Sequence, residues 1–98
     1  MGLESNNLEN TAGEIWGMVK EQLSQKIPPA AMFTWFDDDK CEPIDLDKHT
    51  LFLRVNLSFS KKVIEYRFSS IIVSILNDIL SCDDAELIIL AKDGEFIY

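Results

Sequence analysis

Ninety-eight residues, 47% of them hydrophobic, are enough for one compact domain built on a single core. Seventeen acidic residues against nine basic give a net charge of −8. This balance argues against phosphate binding as the main activity, because affinity for nucleic acid depends on Lys and Arg displacing counterions. It favours basic or apolar partner surfaces instead.

The first ten residues, Met1 to Asn10, are mostly polar and show no periodicity, so a flexible tail is expected there. Thr11-Ala12-Gly13-Glu14 fits the capping box, in which a threonine hydroxyl and a glutamate three residues later satisfy each other's orphan backbone donors. A helix is predicted to begin at that point. Ile15, Trp16, Met18, Val19, Leu23 and Ile27 fall on one broad arc of it, with Trp16 about 70° from the centre of the arc. Both a core and an interface placement fit an indole at that margin; the core one is the commoner for a tryptophan at helical spacing, and the marginal angle beside Ile15 raises the interface one.

Pro28-Pro29 ends the first helix, and Pro29 suits the first turn of a second, short helix over 30–36. Met32, Phe33, Trp35 and Phe36 nearly encircle it. Asp37-Asp38-Asp39 then places three carboxylates at its negative end, which disfavours continuation. Ile44 and Leu46 alternate with acids, and Leu51, Leu53 and Val55 alternate with Phe52 and Arg54. This is the period of an antiparallel hairpin with one buried face, turning at 47–49.

Ser58 or Ser60 is placed to cap a long third helix running to about Leu80. Ile64, Phe68, Ile71, Ile72, Ile75, Leu76 and Ile79 form its main apolar stripe. Phe59, Val63 and Tyr66 make a second strip, within about 60° of one another and away from the first. Two placements fit that strip: packing under the hairpin or first helix, or a partner-binding patch with Lys61, Lys62 and Arg67 as a basic rim. Glu86 to Leu90 reads as a third strand. Asp93-Gly94 is a turn, and Phe96-Ile97-Tyr98 is either a fourth strand or the start of a linker. The domain is therefore expected over 11–92.

No catalytic constellation emerges, and an enzyme is not expected. His49 is the sole histidine and falls in a predicted turn with no nucleophile beside it in sequence, so it is expected to be a solvated turn residue. Counting from Asp37, the glycine and bidentate positions of a calcium loop hold Glu42 and Lys48, so no metal site and no cofactor are expected. The four glycines are scattered and form no phosphate loop. Cys41 and Cys82 form no CxxC pair, and no signal-peptide pattern opens the sequence, so free thiols in a reducing cytoplasm are expected. Residues 63–80, the most apolar stretch, are broken by Glu65, Arg67, three serines, Asn77 and Asp78 and do not form a membrane span.

In its order of elements, α-α-β-β-α-β, the chain resembles the N-terminal domain of DnaA, the bacterial replication initiator, an α+β fold similar to K-homology modules. The resemblance covers about Ile15 to Leu90. It is carried by Ile15-Trp16, Thr34-Trp35, the hairpin from Asp47 to Val55, Phe59, and Tyr66-Arg67-Phe68 before Ile71-Ile72. It implies a three-stranded sheet packed against helices and a role in protein–protein interaction. Self-association is implied at Ile15 and Trp16. Recruitment of the replicative helicase and of initiation regulators is implied at the second helix and the start of the third, where Phe59 is the matching aromatic.

Ala31 matches a position that is acidic and contacts partners in some members, and Val63 stands where an aromatic is common. With Tyr66, these two and Phe59 form the candidate partner-binding set. Some members touch single-stranded DNA weakly; the acidic balance and the missing GxxG loop predict little such binding here. The initiator's ATPase and DNA-binding parts lie outside these residues, so the chain is expected to be an excised domain or, alternatively, a standalone DnaA-like regulator. A K-homology-like single-strand nucleic-acid-binding module is the other alternative.

Overall fold

The computed structural model describes residues 2–93, with side chains from residue 12 onward. Its elements run α1 (Gly2–Leu23), α2 (Pro29–Phe36), β1 (Cys41–Asp47), β2 (Thr50–Val55), α3 (Ser58–Arg67), α4 (Ser69–Leu80) and β3 (Glu86–Ala91). The fold is α+β, a three-stranded mixed sheet packed against helices. The expected strand or linker over 96–98 lies outside the described residues.

The hairpin forms as its alternation requires. β1 and β2 pair antiparallel from Asp47↔Thr50, leaving Lys48-His49 as a two-residue loop. Lys48 takes φ 58°, the left-handed conformation that such tight loops need and that non-glycine residues seldom adopt. A register shift between Pro43 and Asp45 leaves Ile44 without a cross-strand partner, and its side chain is exposed. β3 joins the other side of β2 in parallel, from Thr50↔Glu86 to Val55↔Ala91. Leu51, Leu53 and Val55 face the helices together with Ile89 and Ala91. α1 lies against α4 and β1, and α3 and α4 lie against β3.

Four expectations are corrected. The helix predicted to start at Thr11 is assigned from Gly2, so the Thr11–Glu14 box is interior to α1. No proline interrupts the preceding segment. Met18 is exposed instead of joining the core arc.

The single long third helix is two helices, broken at Phe68, whose backbone sits at φ −124°, ψ −11°. At this break the Ser69 hydroxyl donates to the Glu65 carbonyl at 2.7 Å, a back-bond of the kind that bends helices. The Phe68 ring meets Phe36 edge-on, with centroids 5.3 Å apart. Neither Ser58 nor Ser60 caps α3 with its side chain: the N-cap is Leu57. The work falls to Asp93, whose carboxylate accepts from both the Ser58 N–H and the Ser58 hydroxyl at 2.7 Å. This tethers the start of α3 to the chain just beyond β3.

Phe36 is the hinge of the core. Its ring contacts Trp16 of α1 at 6.0 Å on one side and Phe68 on the other, so one side chain from an eight-residue helix links α1 to the α3–α4 break. Val19 and Leu23 from α1, and Ile72, Ile75 and Leu76 from α4, complete the buried layer. Among the described residues, no helix is long and apolar enough to cross a membrane.

Candidate protein-binding surface

α3 sorts its side chains by helical spacing. Ile64 points into the core, whereas Phe59, Val63 and Tyr66, spaced four and three apart, share another face. Phe59 is 66% exposed and Tyr66 91% exposed, while Val63 is half-buried against the core. The Phe59 ring lies beside that of Trp35, with centroids 6.1 Å apart and planes tilted by 49°, an arrangement the ring quadrupoles favour. Trp35 is itself half-buried, so it is held by the core on one side and offers its other side to Phe59. Ala31 lies one turn earlier on the same side of α2 and is also half-buried. The structure thus brings Phe59, Val63 and Tyr66 onto one face and joins it, through Trp35, to the side of α2 that carries Ala31.

The expected basic rim is thinner than its sequence implies. Lys61 donates to Glu65 at 2.8 Å across one helical turn, which offsets its charge locally. The Arg67 guanidinium lies 5.7 Å from the centroid of the Phe68 ring. What this face offers a partner is mainly apolar and aromatic area. Fully burying a phenylalanine-sized side chain is worth about 1.5–3 kcal/mol.

The proposed self-association pair is placed differently. Trp16 is only 3% exposed and takes the core placement instead of the interface one, and Ile15 is half-buried beside it. Its helical angle was marginal with respect to α1 alone, but Phe36 of α2 reaches around to cover the indole. Among the described residues the Trp16 Nε1 has no hydrogen-bond partner.

Phe33 is the aromatic that sequence reasoning did not single out. It is exposed, and the Lys40 ammonium stands 4.5 Å from its ring centroid, a cation–π contact. Two residues of helix place Phe33 about 200° from Trp35, so it belongs to a different surface. A helix nearly encircled by apolar residues must leave one of them outside.

The acidic run 37–39 forms a turn. The Asp37 carbonyl accepts from the Lys40 and Cys41 amides, and Asp38 pairs with Lys20, which holds its carboxyl below the usual range. His49 lies in the hairpin turn as expected, with its side chain partly solvated, and its Nδ1 lies 2.6 Å from a carboxylate oxygen of Asp84, with Cys82 close by. No known protein-family model matches the chain.

Proposed function

We propose that this chain is a protein-interaction module serving the initiation of DNA replication, and that it docks its partners through the face built from Trp35, Phe59 and Tyr66. The observation that carries the reading is the exposure of two aromatic side chains on one helix face, next to a third ring anchored in the core. Exposed aromatic anchors of this kind are what interface hot spots use. The partners are those implied by the resemblance to the DnaA N-terminal domain: the initiator itself, the replicative helicase and regulators of initiation. With Trp16 buried, the contact with the initiator is assigned to the α2–α3 face as well. The acidic net charge supports protein over nucleic acid as the ligand.

Calorimetric titration of the replicative helicase with the parent chain, Phe59→Ala and Tyr66→Ala tests this directly. Each substitution is expected to weaken binding by about 1–2 kcal/mol, roughly five- to thirtyfold, with an unchanged far-ultraviolet circular dichroism spectrum. Equal affinities for all three proteins would remove the assignment of this face.

A further inference from the structure

The parallel pairing of β2 with β3 aligns the residue before one strand with the residues before the other. Thr50 is opposite Glu86, and the Glu86 amide donates to the His49 carbonyl at 3.0 Å. The hairpin loop and the α4–β3 loop therefore meet at one end of the sheet. There, ligand atoms of His49, Cys82 and Asp84 all lie within 4.8 Å of one another. We propose that these three side chains form a binding site for a divalent transition-metal ion of the zinc class.

The donor set itself selects the ion. Thiolate, imidazole and carboxylate are all zinc ligands, whereas the hard cations magnesium and calcium favour oxygen alone. Tetrahedral coordination at zinc distances sets ligand atoms about 3.2–3.8 Å apart. The widest pair thus needs to close by at most about 1–1.5 Å, and the His49–Asp84 pair, at 2.6 Å, to open by about 0.6 Å, movements within reach of side-chain torsions. His49 and Asp84 have that freedom, with side chains 44% and 71% exposed. Three protein ligands leave a fourth position to water or to Glu86, which lines the same cleft with Lys48 and Thr50. Lys48 opposes a cation at this cleft, but Asp84 and Glu86 outnumber it.

The surrounding backbone is fixed independently of any ion. Ser81 ends α4 in the left-handed conformation, φ 56°, ψ 50°, and the Cys82 amide returns to the Asn77 carbonyl at 3.0 Å. The Asn77 side-chain oxygen accepts from the Ala85 amide at 2.9 Å and from the Cys82 thiol at 3.4 Å. Asn77 thus positions the thiol in the metal-free protein, and the hydrogen bond from the S–H to it is given up when the sulfur binds the ion. On binding, the Cys82 S–H bond breaks, its proton passes to solvent and the sulfur lone pair forms the metal bond. The hydrogen bond from His49 Nδ1 to Asp84 breaks as well: the Nδ1 proton leaves to solvent, Nε2 carries the proton that the neutral ring keeps, and the freed Nδ1 lone pair and a carboxylate oxygen each take a ligand position. Such binding releases a proton and strengthens as the pH rises.

The test uses chelator-treated reduced protein titrated with Co²⁺ and then Zn²⁺. A thiolate-to-cobalt charge-transfer band that Zn²⁺ abolishes is expected, and Zn²⁺ should raise the thermal midpoint. It should also shield Cys82 from iodoacetamide, measured by mass spectrometry. Cys41 is the internal control: it is buried, and burial pushes its thiol up to about 12, so it should stay unlabelled with or without metal. His49→Ala and Cys82→Ser replace side chains outside the buried core and should each lower the Zn²⁺ affinity at least about 100-fold, the upper end of what outer-shell changes cost. Absence of the cobalt band in the parent, or undiminished Zn²⁺ binding in both variants, would overturn the site.

Discussion

At the scale of single residues, two aromatics that looked equivalent in the sequence have opposite fates. Trp16 is enclosed by Phe36 and its own helix, whereas Phe59 keeps most of its ring in solvent. Trp16→Ala should therefore act on stability. Emptying an indole-sized site costs about 3–5 kcal/mol, a large share of the roughly 5–15 kcal/mol available to a domain. Denaturant unfolding should show a strongly lowered midpoint for Trp16→Ala and only a small change for Tyr66→Ala. Similar midpoints for the two variants would contradict these placements. Any loss of partner binding in Trp16→Ala then reports unfolding and not a lost contact, so Tyr66, with nine-tenths of its surface in water, is the cleaner probe.

At the scale of elements, the sequence is informative where the signal is local. The alternation of Leu51, Leu53 and Val55 fixes which face of β2 is buried, and Pro28-Pro29 separates α1 from α2. The break at Phe68 is not legible, because no glycine or proline marks it and the apolar stripe runs through it without interruption. Its cause is tertiary: the docking of Phe68 on Phe36, with Ser69 bonding back to Glu65. The cap of α3 is hidden for the same reason, since Asp93 lies thirty-five residues from Ser58. Asp93→Ala should cost about 0.5–2 kcal/mol, the usual range for a lost helix cap. Amide exchange should quicken first in the opening turn of α3. An unchanged midpoint and unchanged exchange in that turn would show that Asp93 is not its cap. The cluster of His49, Cys82 and Asp84 escapes sequence reading likewise, because only the parallel β2–β3 register brings its loops together.

At the scale of the whole molecule, the helices cover one face of the sheet and, among the described residues, leave the other open. That open face carries apolar groups of its own: Ile88 and Leu90 on β3 are exposed, and Phe52 on β2 is half-buried opposite Ile88. Two surfaces therefore compete as docking sites, and the aromatic one is favoured because its rings are anchored through Trp35 to the core. The open sheet face has instead an ion pair across it, with Arg54 donating to Glu42 at 3.0 Å, and a charged residue there weakens an apolar interface. The net charge of −8 also predicts that partner association slows as salt is raised when the partner is basic.

Hydrogen-exchange footprinting of the chain bound to the replicative helicase tests the central claim most directly. Slowed exchange centred on Ser58–Arg67 and on Pro29–Phe36, with β3 unaffected, is the predicted result. Protection confined to the open face of the sheet, or none on α3, would contradict it.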